Sequence, residues 1–106
     1  MPSIKYNKLI RDLIPQIIKD YGKKPITRVV NDDAKYIAYL DSKLEEELAE
    51  YKTSGDIEEL ADIQEVVIAL VQAKGISLDD FEALRLKKRD ERGGFESRII
   101  LVEVVE

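Results

Sequence analysis

The sequence contains no cysteine and no histidine. Disulfides, thiolate metal centres, thiol nucleophiles and imidazole acid–base chemistry are therefore excluded. Any metal this chain holds must be bound through oxygen, which selects a hard ion such as magnesium or manganese. Long hydrophobic runs are also missing. The longest apolar stretch, Val66 to Val71, is about six residues, against the roughly 20 that span a bilayer. The opening residues Met1-Pro2-Ser3-Ile4-Lys5 lack the apolar block of a signal peptide, so a cytoplasmic location is expected. Positive charge is in deficit. Lysine and arginine number 17 against 22 acidic residues, a net charge of −5, which argues against a nucleic-acid polymer or a membrane surface as partner.

What is present suits one soluble domain over residues 1–106, with 44% apolar and 37% charged residues. Leu9, Ile10, Leu13, Ile14, Ile17 and Ile18 have helical spacing between Tyr6 and Tyr21, with Gly22 as the stop and Pro15 as a kink. Ile26 to Val30 reads as a short strand. Asn31, Asp32 and Asp33 are capping candidates for a helix to about Lys52, whose Ile37, Leu40, Leu44, Leu48 and Tyr51 form one stripe. After a turn over Thr53 to Asp56, a second long helix runs to about Lys74 and stops at Gly75. Leu60, Ile63, Val66, Val67, Ile68, Leu70 and Val71 cover most of its circumference, so a partner subunit is expected to cover what this short chain cannot. Ser77 caps a last helix to about Arg92, ended by Gly93-Gly94. Ile99 to Val105 reads as a strand that pairs with Ile26 to Val30. The expected fold is a mainly α antiparallel helical bundle with a small peripheral two-stranded sheet, completed by oligomerisation.

The informative residues are acidic. Glu47 and Glu50 lie three apart on one helix, and Glu59 and Asp62 lie three apart on the next. Glu50 and Glu59 are equidistant from the middle of the turn, and so are Glu47 and Asp62. In an antiparallel hairpin each therefore faces its counterpart, with about 4.5 Å between the two levels. At 100° per residue, Glu47 lies roughly 60° from the centre of the apolar stripe, Glu50 roughly 120°, and Glu46 nearly opposite it. Four converging carboxylates repel one another, and a divalent cation removes that penalty while leaving room for substrate phosphates. Each residue also has an ordinary role open to it. An acidic run such as Glu45-Glu46-Glu47 is commonly a solvated face, and Glu59 can close a capping box begun by Asp56. Asp62 is harder to dismiss, because aspartate is a poor mid-helix residue and here interrupts an aliphatic run.

Glu46-Glu47-x-x-Glu50 followed by Glu59-x-x-Asp62, with Lys43-Leu44 ahead of it, resembles the signature of the all-α, MazG-like nucleoside triphosphate pyrophosphohydrolase superfamily. The opening Tyr6-Asn7-Lys8-Leu9-Ile10-Arg11-Asp12-Leu13-Ile14-Pro15 and the ending Arg92-Gly93-Gly94-Phe95-Glu96 resemble its phosphoribosyl-ATP pyrophosphohydrolase-like branch. The resemblance implies cleavage between the α- and β-phosphates of a nucleoside triphosphate to give a monophosphate and pyrophosphate; the partner subunit expected from the apolar helix makes the assembly a homodimer or a homotetramer. The resemblance also implies that Glu47, Glu50, Glu59 and Asp62 hold magnesium, or manganese in its place. Glu46 and Glu47 are the implied catalytic carboxylates, with Glu46 positioning or deprotonating the attacking water. The helical phase agrees on the four ligands but points Glu46 away.

Positive groups must neutralise the triphosphate. Lys8 and Arg11 at the front, and Lys87, Lys88, Arg89 and Arg92 near the end of the last helix, are the candidates. The second group can equally serve its own helix C-terminus, and Gly93-Gly94 can simply end that helix. Arg11 either pairs locally with Asp12 or reaches the carboxylates. Tyr36, Tyr39 and Phe95 are candidates for base stacking or for ordinary packing. Three functional expectations follow: a magnesium-dependent pyrophosphohydrolase that removes non-standard nucleotides, the same chemistry on phosphoribosyl-ATP, or a catalytically silent dimerisation or nucleotide-sensing module.

Overall fold

The computed structural model describes residues 3–106; Met1 and Pro2, part of the opening segment tested above for a leader, lie outside the described residues. The described residues form four helices and no strand: α1 (Ile14–Asp20), α2 (Asp33–Ser54), α3 (Ile57–Ala73) and α4 (Leu78–Arg92). The chain is all-α, and no helix among the described residues is long and apolar enough to cross a membrane.

The helix ends follow local chemistry. Asp32 caps α2 by accepting from the Lys35 amide at 3.1 Å, and Ser77 caps α4 by accepting from the Asp80 amide at 3.1 Å. Gly55 ends α2 with φ of 70°, a left-handed conformation that costs glycine little. The turn therefore tightens to Gly55 and Asp56, and α2 and α3 fold back on each other as a hairpin. Leu40, Val66 and Val71 are buried along this hairpin, while α4 packs more lightly on α3.

Two expectations are corrected. Pro15 does not kink a helix running from Tyr6. It stands in the first turn of α1, where its missing amide hydrogen is not needed, and residues 6–13 are not helical. Nor do Ile26 to Val30 and Ile99 to Val105 pair as strands. Both segments are irregular, with Ile26 at 92% and Val102 at 87% of full exposure. A two-stranded ribbon needs a face to pack on, and these segments have none within the single chain.

Candidate metal site

Closing the hairpin gathers three of the four expected ligands. Glu47 and Glu50 project from α2 and Glu59 from α3, and one carboxylate oxygen from each lies within 4.8 Å of the other two. Asp62, one turn further along α3, instead accepts from the Arg11 guanidinium at 2.7 Å. Its negative charge still acts on Glu59, so it stands at the edge of the same cluster. Asp56 makes no side-chain cap to α3, so the capping-box reading of Glu59 does not hold.

Glu47 is the deepest member, 7% exposed, and its Oε2 has no hydrogen-bond partner. The Oε2 of Glu59 is likewise buried and unpartnered. Burial pushes the Glu47 carboxyl above its ordinary value, Glu50 adds to the rise, and Lys43, at 3.3 Å from Glu47 Oε1, opposes it. Burial also raises Glu59, helped by the charges of Glu50, Asp62 and Glu47. A buried carboxylate oxygen without a partner is costly, and the three carboxylates at this separation repel one another. The residues fit a hard divalent cation, because every donor is oxygen and two of the oxygens lack any other partner.

Glu46 does not join the three. It accepts from Lys8 at 2.9 Å and from Lys43 at 3.5 Å, and the Lys8 hydrogen bond holds its carboxyl below the ordinary range. The helical phase set Glu46 nearly opposite the apolar stripe, and the residue is half-buried. The phase could not show that the N-terminal segment would meet it there. Lys43 is the residue that sequence reasoning passed over. Its i+3 and i+4 spacing to Glu46 and Glu47 is a readable signal for the two ion pairs it makes.

Of the expected phosphate binders, Lys8 and Arg11 reach the cluster, and Arg11 pairs with Asp62 rather than locally with Asp12. Lys88, Arg89 and Arg92 do not. Arg89 pairs with Glu96 at 2.8 Å, Lys87 lies 3.9 Å from Glu91, and Lys88 and Arg92 are exposed. No ion pair among the described residues links α4 to the acidic cluster. The basic residues of its last turn stand beside its own carbonyl end. Tyr39 is engaged by Arg28, which donates to its hydroxyl at 2.7 Å and lies over its ring, while Tyr36 is half-buried and Phe95 fully exposed. A shallow, solvent-open cleft of about 380 Å³ runs beside Glu50 and Glu59, with Ala49, Thr53 and Ser54 completing its lining.

No protein-family model matches the chain. No solved structure matches it either. Over 47 residues the chain is 45% identical to an uncharacterised protein of Mycolicibacterium smegmatis (strain ATCC 700084 / mc(2)155), a match covering 44% of this chain and 47% of that protein. The match thus spans about half the length of this curated relative.

Proposed function

We propose that this chain is a cytoplasmic nucleoside triphosphate pyrophosphohydrolase of the MazG-like kind, dependent on magnesium or manganese. It cleaves between the α- and β-phosphates to give a monophosphate and pyrophosphate, and removes non-standard nucleotides. The observation that carries the reading is a buried carboxylate with an unpartnered oxygen, Glu47, grouped with Glu50 and Glu59 across two facing helices.

In this reading Glu47, Glu50 and Glu59 hold the ion, and Asp62, whose charge acts on Glu59, joins them as the fourth ligand. A bound divalent ion supplies positive charge for the phosphate chain and lowers the pKa of a coordinated water. Glu46, kept ionised by Lys8 and Lys43, accepts a hydrogen bond from the attacking water and orients it. The water oxygen bonds to the α-phosphorus while its proton passes by way of Glu46 to solvent, the bond from that phosphorus to the bridging oxygen breaks, and pyrophosphate leaves with its electron pair. No side-chain nucleophile is required, which suits a chain without cysteine or histidine.

The reading includes self-association into a homodimer or homotetramer. The radius of gyration is 18.6 Å, whereas a compact domain of this length has about 13 Å. Ile99, Ile100, Leu101, Val102, Val104 and Val105 are all more than two-thirds exposed. A second copy is the cover that turns these segments, and Ile26 to Val30 with them, into paired strands.

The test is pyrophosphate release from a panel of nucleoside triphosphates and phosphoribosyl-ATP, with and without magnesium. Turnover should require the metal and should vanish in Glu47→Gln and Asp62→Asn, while exposed Glu45→Gln retains it. Absence of turnover on every substrate, together with no metal binding, favours the silent module.

A further inference from the structure

Among the described residues the N-terminal segment, from Ser3 to Leu13, carries no helix or strand, and Ile4, Tyr6 and Leu13 are at least two-thirds exposed. Leu9 and Ile10 are half-buried, and α1 packs closely against none of the other helices. Two ion pairs nevertheless tie this segment to both arms of the hairpin. Lys8 holds Glu46 on α2 at 2.9 Å, and Arg11 holds Asp62 on α3 at 2.7 Å. Asn7 turns the chain just before Lys8 with a φ of 48°, a left-handed conformation that asparagine tolerates.

Charge balance gives these pairs a meaning beyond tethering. The region holds five carboxylates, those of Glu46, Glu47, Glu50, Glu59 and Asp62. Lys8, Arg11 and Lys43 are the three cations paired with them. The deficit of two positive charges is the charge of one divalent ion. Arg11 already occupies one of the carboxylates such an ion would take, and both tethers lie among partly exposed side chains, where ion pairs are weak and exchangeable. A guanidinium released from a carboxylate offers a planar fork of donors that suits phosphate oxygens equally well.

We propose that Arg11 is an exchangeable counterion: it competes with the divalent ion for Asp62, and once displaced it moves to the phosphate chain of the substrate, while Lys8 stays on Glu46. This rests on the metal site proposed above and adds an order of events. Metal loading frees a cation that the substrate needs, so the segment from Tyr6 to Leu13 favours nucleotide only after the ion is in place. Arg11 thereby acts on the two ligands in opposite directions, which a merely structural tether does not.

The experiment measures binding of manganese alone, and of inorganic tripolyphosphate to the manganese-saturated protein, by calorimetry on wild type, Arg11→Ala and Arg11→Lys. Arg11→Ala should bind manganese up to about fivefold more tightly, the range expected when a partly exposed competing charge is removed. The same variant should bind tripolyphosphate at least about tenfold more weakly, as expected for loss of a charged hydrogen bond. Arg11→Lys should lie between it and wild type in both. In an Asp62→Asn background, Arg11→Ala should no longer tighten manganese. Manganese affinity that is unchanged or weakened in Arg11→Ala, or tripolyphosphate affinity that is unaffected, overturns the exchange while leaving the metal site standing. Failure of wild type to bind manganese at all overturns both.

Discussion

The α2–α3 hairpin and the last third of the chain are both supplied with aliphatic side chains, yet they bury them very differently. Leu40, Val66 and Val71 are buried in the hairpin, whereas Leu84, Leu86, Ile100 and Val102 range from 48% to 87% exposed. The hairpin needs only a tight turn to bring its two arms together, so its contacts are local in sequence. The C-terminal segment has no such neighbour, because its expected partner, Ile26 to Val30, is separated from it along the chain by α2, α3 and α4. The same difference separates the acidic cluster, which the hairpin assembles, from the basic residues of α4, which remain apart from it.

Three measurements break or sharpen this contrast, beginning with the largest expected effect. Leu40→Ala should destabilise the protein by about 2–5 kcal/mol, the usual cost of truncating a buried leucine, as read from urea unfolding. An equal loss from Leu86→Ala would show that the two regions do not differ as described, unless protein dilution abolishes it. Next, the double substitution Ile100→Asp and Val102→Asp should shift sedimentation toward the monomer and weaken self-association by about tenfold or more, since charge placed in an apolar interface is poorly tolerated. Retention of the same assembly would remove the C-terminal segment from the interface.

The smallest effect concerns pH. Burial raises the Glu47 carboxyl above its ordinary value of 4.5 in the folded chain. Well below that value the group is neutral whether the chain is folded or unfolded, and no penalty exists. As pH rises from 4.5 through the raised folded value, the unfolded chain ionises more readily, and the metal-free protein loses stability through this group. Glu47→Gln should therefore raise Tm by about 2–4 °C at neutral pH and by less at about pH 4, measured with a chelator present. An equal change at both would assign the effect to packing rather than charge. Added manganese should reverse the order at neutral pH and make wild type the more stable protein.

Much of this was legible in the sequence because it is encoded locally. The cap candidates Asn31 to Asp33, Ser77 as a cap, the turn over Thr53 to Asp56, Gly75 as a stop, and the 3.6-residue spacing of the aliphatic side chains all mark the helices. The equal distances of Glu50 and Glu59 from the turn carried enough information to bring them together. Asp62 faces the same way on the same logic, but its partner comes from the N-terminal segment, 51 residues away. No periodicity reports such a contact; the alternatives for Arg11 could be named but not decided. Pro15 misled because proline breaks a helix in its interior and favours one at its first turn, and the choice depends on where the helix begins. The two strand segments have genuine β-forming composition. Composition specifies a strand only when something is there to pair with it.

The central claim is that Glu47, Glu50 and Glu59 share one divalent ion. A crystal grown with manganese and measured at a wavelength that reveals its anomalous scattering tests this directly. The account predicts a single strong peak within about 2.0–2.3 Å of oxygens from all three residues. Well-ordered carboxylates turned apart into solvent, with no peak among them, would contradict it.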